Sequence, residues 1–262
     1  MANEPTTGAG EITGNVLFYS NPEPLNRDAH GKLGVKRMDG PFGFARTGHV
    51  VPLTVGEFGV AAVTGPIIFV GEEKTPLLVM GLNPNENMFV TAEGLFEAGV
   101  YIPAYVRRYP FVYANDDKAG QMILCIDRSA EFIMEGGEMA FFDASGEPSE
   151  YTKNCMEFCN NYEAERQRTL NFVQLLRAMD LFELKTATFT PTNPDGSAGE
   201  PQKIAEYYGV SEEKIAALKP EQLAELRDNG ALHQIYTHLT SLVGWDRLVA
   251  IAMYRASQAA RA

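Results

Sequence analysis

Histidine, cysteine and tryptophan are scarce in this chain: 262 residues hold 4 His, 3 Cys and a single Trp. Three thiols cannot build a paired disulfide scaffold, so they read as reduced cysteines. No run reaches the ~18 apolar residues of a membrane-spanning helix; the longest candidate, Val60 to Val70, is broken by Thr64, Gly65 and Pro66. There is no Gly-x-Ser-x-Gly elbow, no phosphate loop ending in Gly-Lys-Ser/Thr and no His-Glu-x-x-His. Gly8-Ala9-Gly10 with Gly14 lacks both the spacing and the preceding strand of a dinucleotide fingerprint. Positive charge is also short. Residues 1–148 carry 10 Lys and Arg against 19 Asp and Glu, and the remainder 12 against 15. Neither part offers the basic stripe that a phosphate backbone requires, which excludes generic nucleic-acid and anionic-membrane binding. The opening MANEPTTGAG has no basic and no apolar segment, so a cytoplasmic location is expected.

What is present is ample apolar surface. With 45% hydrophobic residues, 15 Phe and 11 Tyr, the chain can bury a large core and is not disordered throughout. From Val16 to Phe142 short apolar runs alternate with turn residues. Ile67–Val70, Leu77–Leu82, Met88–Val90, Phe111–Ala114 and Met122–Ile126 read as strands of antiparallel hairpins. From Ser149 to Thr190 there is neither Gly nor Pro, and Cys155, Cys159, Tyr162, Arg166, Leu170, Val173, Leu176, Met179 and Phe182 recur at helical steps. That pattern predicts one helix of about 30 residues. Shorter helices are expected near Ile204–Tyr208, from Pro220 to before Gly230, over Leu232–Val243, and from Trp245 onward. The fold class is α+β: an N-terminal antiparallel β meander or partly open barrel, then a long helix and a C-terminal helical bundle. Residues 1–14 read as a flexible tail, and 15–262 as a single domain, strand-rich over 15–148 and helical over 149–262.

No residue cluster rises to a reaction, so no catalytic residue is assigned, and no cofactor or metal site is expected. His233 and His238 stand five apart, which turns them away from each other on a helix. Cys155 and Cys159 share a helix face; core packing, a shared metal and redox chemistry are the three readings. Ala205, Gly209 and Ile215 have helix-turn-helix spacing, but the second helix would open Ser211-Glu212-Glu213, which phosphate repels. Two packed structural helices are therefore expected there. The densest chemistry is Tyr101 to Phe111. If this segment is extended, Tyr101, Tyr105, Arg107, Tyr109 and Phe111 share a face and Arg107 lies between tyrosine rings. If it is helical, Tyr101, Tyr105 and Arg108 group with Tyr109. An arginine pair tying down acidic turns is the structural alternative. Tyr101, Tyr105, Arg107, Arg108 and Tyr109 are the candidate ligand- or partner-binding residues.

Leu17-Phe18-Tyr19, Asn21-Pro22-Glu23-Pro24-Leu25-Asn26-Arg27 and Phe44-Ala45-Arg46 resemble the opening of the bacterial SapC family. Val51-Pro52-Leu53, Glu57-Phe58, Ile67-Ile68-Phe69-Val70, Tyr105 to Phe111, Leu124-Cys125-Ile126-Asp127, Ile235 to Leu239 and Trp245-Asp246-Arg247-Leu248 follow in order. The resemblance implies a component associated with a bacterial surface layer, with no reaction established for the family and no catalytic residue to carry over. Surface association would then need a non-classical export route. Family members are encoded near flavin-dependent halogenases and outer-membrane receptors, which implies an accessory role. Two partners are thus in view: an envelope component, or a neighbouring halogenase or similar oxidative enzyme whose substrate the protein presents. An oligomer stays open, as does an enzyme using Arg107, Arg108, His238 or Asp127.

Overall fold

A computed structural model describes residues 16–116, 121–191 and 196–259; the expected tail over 1–14 lies outside them. In chain order the strands are β1 (Pro22–Pro24), β2 (Leu33–Val35), β3 (Val50–Pro52), β4 (Ile67–Val70), β5 (Thr75–Val79) and β6 (Phe111–Asp116). They continue as β7 (Gln121–Asp127), β8 (Ile133–Glu135), β9 (Met139–Ala140), β10 (Phe182–Phe189) and β11 (Gln202–Val210). The helices are α1 (Arg27–His30), α2 (Phe58–Ala61), α3 (Ala104–Arg107), α4 (Glu150–Ala178), α5 (Glu212–Ala216), α6 (Pro220–Asp228), α7 (Ala231–Ser241) and α8 (Gly244–Ala259). Among the described residues every strand pairing is antiparallel and no sheet closes. The chain divides into two compact units, one from residues up to Pro41 with Arg107–Tyr162, the other from Phe42–Val106 and the residues from Glu163 onward.

In the first unit the expected hairpin of β6 and β7 is present, Phe111 opposite Ile126 through Asp116 opposite Gln121. β1 lies along the free side of β7, where its two prolines cost no ladder bond because the strand is an edge. A second sheet places β2 between β8 and β9. Gly34 is needed at its centre: a Cβ there would lie 2.7 Å from the Met139 carbonyl oxygen and 2.8 Å from that of Gly137. Phe111, Ile126, Phe141, Leu33, Val35 and Ile133 form the core, with Cys159 from α4. Ser149 caps α4 by accepting from the Thr152 N–H at 3.2 Å.

The second unit holds a five-stranded sheet of order β10-β11-β4-β5-β3. The β4–β5 hairpin occurs as its pattern predicts. β10 and β11 do not: the helix expected at Ile204–Tyr208 is strand, and the expected pair of structural helices is a strand followed by the single short helix α5. Ile204 and Tyr208 are four apart, a spacing that serves one face of a strand as well as one face of a helix. The long helix forms as expected but stops at Ala178, so Phe182 belongs to β10. Asp180 takes the left-handed conformation at φ 52°, and the Leu181 N–H bonds the Leu176 carbonyl at 3.0 Å. This is a helix stop of the kind glycine usually supplies, here made by aspartate.

Helix α7 is pinned to the sheet by polar side chains. His238 is fully buried; its Nδ1–H donates to the Ile67 carbonyl at 2.8 Å and its Nε2 accepts from the Val210 N–H at 3.1 Å. Ser241 accepts from the Ile67 N–H at 2.9 Å and donates to the His238 carbonyl at 2.6 Å. Phe69 packs edge-on against the His238 ring, and against Phe58 and Phe182. Burial pushes the imidazole down to about 4 from its ordinary 6.5. Below the ordinary value the unfolded chain takes up a proton that the folded chain refuses, so stability is lost as pH falls from 6.5 towards 4. The shift corresponds to roughly 3 kcal/mol. His238→Gln is expected to be the less stable protein at neutral pH. Urea unfolding followed on the Trp245 fluorescence should show its deficit against the parent shrinking by about that amount on acidification to pH 4. A constant deficit would refute the neutral buried imidazole.

Candidate functional site

The segment from Tyr101 to Phe111 is neither one strand nor one helix. Residues 101–103 lead into the single helical turn α3, and β6 begins at Phe111. Its first part belongs to the second unit. There the Glu57 carboxylate, almost fully buried, collects four hydrogen bonds. Oε1 accepts from the Tyr101 hydroxyl at 2.9 Å and from the Ala104 N–H, at the start of α3, at 2.7 Å. Oε2 accepts from the Thr54 N–H at 2.9 Å and from its hydroxyl at 2.7 Å. The Tyr101 N–H donates to Thr64 Oγ1 at 3.0 Å. Tyr105 is buried. A buried carboxylate is stable only when its lone pairs are filled, and this one is filled by the backbone and hydroxyls that it positions.

The rest of the segment lies in the first unit. Arg107 is exposed, with its guanidinium carbon 5.2 Å from the Phe158 ring centre. Arg108 lies 4.6 Å from the Tyr162 ring centre and 5.8 Å from that of Tyr19. Tyr109 stands edge-on to Tyr19 at 5.1 Å and to Phe132 at 5.8 Å. Its hydroxyl donates to Asp127 Oδ2 at 3.3 Å. Burial, and then the Asp127 charge and hydrogen bond, push the Tyr109 phenol well above its usual range, so it stays a donor.

Asp127 is the centre of this arrangement. Oδ1 accepts from the Asn21 N–H at 3.0 Å, the Ser129 N–H at 3.0 Å and the Ser129 hydroxyl at 2.5 Å. Oδ2 also accepts from the Ser20 N–H at 2.8 Å. Burial alone would raise this carboxyl; the bonds from Ser129, Ser20 and Asn21 outweigh it and hold the group below the usual carboxylate range.

The segment turns helical at Ala104–Arg107, so the extended geometry on which the expected tyrosine clamp around Arg107 rests does not apply. A helical turn advances about 100° per residue, so Arg107 and Arg108 diverge. Arg107 reaches Phe158, while Arg108 takes the two tyrosine contacts from outside the segment, Tyr19 and Tyr162. Of the five candidates, Tyr101 bonds Glu57, Tyr109 bonds Asp127, Tyr105 is buried and Arg107 is exposed. His238 and Asp127, considered for catalysis, fall in different units. Cys159 packs in the first unit's core and Cys155 against it; burial pushes the Cys159 thiol up to about 12 and raises Cys155 as well. Such thiols stay protonated and unreactive near neutral pH. Among the described residues no group of three or more His, Cys, Asp and Glu is placed to hold a metal ion.

Glu57 and Asp127 are the polar centres: the residue pattern assigned Glu57 no role and considered Asp127 only for catalysis, not as a structural hub. Glu57 had a signal, since Thr54-Val55-Gly56-Glu57 is a capping box with both of its bonds made. The hub role of Asp127 had none: it ends an apolar run, and its partners at Ser20 and Asn21 are more than 100 residues away.

The family model described as SapC matches residues 25–248, most of the chain. No curated protein and no solved structure matches it. Among the described residues no helix is long and apolar enough to cross a membrane.

Asp127→Asn keeps the side-chain shape but places an amide donor against N–H donors, removing the charge-assisted bonds. A loss of about 2–4 kcal/mol is expected from urea unfolding at neutral pH. An unchanged midpoint would show that Asp127 is not what holds Ser20 and Asn21.

Proposed function

Because the chain belongs to the SapC family, we propose that it is a non-enzymatic binding protein of the bacterial cell envelope, working with an envelope component at the cell surface. Arg107 is its contact point. The observation that supports this reading is the exposed residue Arg107 with its guanidinium over the Phe158 ring, on a chain of formal net charge −12. A guanidinium backed by an aromatic ring is partly pre-ordered and offers forked donors to a carboxylate or phosphate on a partner. Within the same segment Tyr101 bonds Glu57 and Tyr109 bonds Asp127. Arg108 is partly buried over Tyr162 and Tyr19, whereas Arg107 is exposed, so Arg107 is the position to change.

The test is fractionation of the native host, with protease added to intact cells. The parent protein is expected in the envelope fraction and open to the protease. Arg107→Glu should move to the soluble fraction with its melting temperature unchanged. A parent protein confined to the cytosol and protected would overturn the envelope reading and direct attention to a cytoplasmic oxidative enzyme as partner. An unmoved Arg107→Glu would overturn the contact point alone.

A further inference from the structure

Among the described residues no strand pairs with the outer side of β10, which ends the five-stranded sheet of the second unit. The ladder on its inner side decides which backbone groups face outward. The Ser211 N–H donates to the Leu181 carbonyl at 2.9 Å, and antiparallel partners exchange bonds at every second residue. Glu183, Lys185 and Ala187 therefore bond to β11, while Phe182, Leu184, Thr186 and Thr188 turn their N–H and carbonyl groups away from it. The bulge at Ala187/Thr188 puts its extra residue on β11, so β10 keeps its alternation. Three contacts agree with this assignment. Tyr208, opposite Leu184, pairs with Phe69 on its other side, and the Val210 N–H, opposite Phe182, leaves the ladder for His238. On the outer side of β10 the Phe182 carbonyl accepts from Lys214 Nζ at 2.9 Å.

An open edge is a template for another strand, and proteins blunt such edges with short strands, proline or bulges. The opposite edge of this sheet is blunted in that way: β3 is three residues long and ends in Pro52. β10 runs for eight residues without a proline, and its two charges, Glu183 and Lys185, pair with each other. Leu184 is 58% exposed, and Thr186 and Thr188 are exposed as well. Among the described residues the outward N–H and carbonyl groups of Leu184, Thr186 and Thr188 meet no hydrogen-bond partner.

We propose that β10 pairs with the β10 of a second copy of this chain, antiparallel, about a two-fold axis between the two Thr186 residues. Lys214 sets this register. An axis at Leu184 would need the Phe182 carbonyl, which Lys214 holds. The axis at Thr186 matches Thr186 with itself and Leu184 with Thr188 of the second copy, so only free groups are used and each pair exchanges two bonds. The charges suit it: Glu183 faces Phe189 of the second copy and Lys185 faces Ala187, so no like charges stand directly opposed. Such an interface uses the same patch on both copies and closes at two. One shared ladder is a small interface, which sets the expected association in the micromolar range. The pairing does not depend on Arg107 or on an envelope partner.

Sedimentation equilibrium of the full-length protein over a range of concentrations is expected to show a monomer–dimer equilibrium. Backbone hydrogen exchange on the same samples locates the contact. The Leu184, Thr186 and Thr188 amides should slow several-fold as the concentration rises, and the Glu183 and Lys185 amides, already bonded to β11, should change far less. Thr186→Pro removes the outward N–H at the axis without costing a bond to β11; it should keep the parent's circular dichroism and stay monomeric at every concentration. A parent monomeric throughout would overturn the proposal and leave the edge to a strand of a different protein. A dimer whose edge amides do not slow, or one undiminished in a folded Thr186→Pro, would overturn it as well. If Thr186→Pro does not fold, Thr186→Lys takes its place. It sets two ammonium groups against each other at the axis and should dissociate the dimer at low salt, with partial recovery at high salt. An unaffected dimer at low salt would overturn the assignment of β10.

Discussion

His238 spends both ring nitrogens on backbone, donating to Ile67 and accepting from Val210. Only the neutral ring can do both at once. The two residues it joins sit on β4 and β11, and that junction is the thinnest in the sheet: a single registered pair, Tyr208 opposite Phe69, connects the β3–β5–β4 side to the β11–β10 side. Helix α7 therefore acts as a clamp across a seam that strand pairing alone holds weakly. Ser241, one turn further on, adds a second bond to the same edge at the Ile67 N–H. Phe69, in the middle of the seam, is fully buried among Phe58, Phe182 and the His238 ring.

Each unit also keeps a buried carboxylate, and the two are used alike. Glu57 gathers the start of α3, the Tyr101 hydroxyl and the Thr54 turn. Asp127 gathers the Ser20–Asn21 backbone, Ser129 and the Tyr109 hydroxyl. In both cases a charge that would be costly in an apolar interior is met by donors from irregular chain, and the irregular chain gains a fixed position in return. The tyrosines that made the 101–109 segment look like a recognition surface supply part of that donor set.

The parts of the fold that were legible are those whose information is local. The hairpins β4–β5 and β6–β7 are alternating runs around turn residues, and α4 is a long stretch without Gly or Pro. Where the reading went astray, a local rule was satisfied by an unexpected residue. Asp180 rather than a glycine ends α4, so the apolar period appeared to run on into Phe182. In β11 the four-residue spacing of Ile204 and Tyr208 suits two periodicities at once. The candidate site was legible as a concentration of Arg and Tyr, but its arrangement was not. The partners that decide it, Tyr19, Phe158 and Tyr162 for the arginines and Glu57 and Asp127 for the tyrosines, lie 18 to 89 residues away and leave no periodic trace.

Both units are built from two separated stretches of chain, and this sets an order of events for a chain lengthening from its N-terminus. The strands β3, β4 and β5 are complete by Val79, yet the strands that extend their sheet begin only at Phe182, and the clamp from α7 follows at His238. In the interval the β4 edge presents unpaired backbone and Phe69 lacks its Phe182 and His238 neighbours. Early-made apolar strands whose partners arrive last are the species that associate wrongly. The long interval between β5 and β10 thus makes the newly made chain, more than the finished molecule, the form most in need of protection from its neighbours.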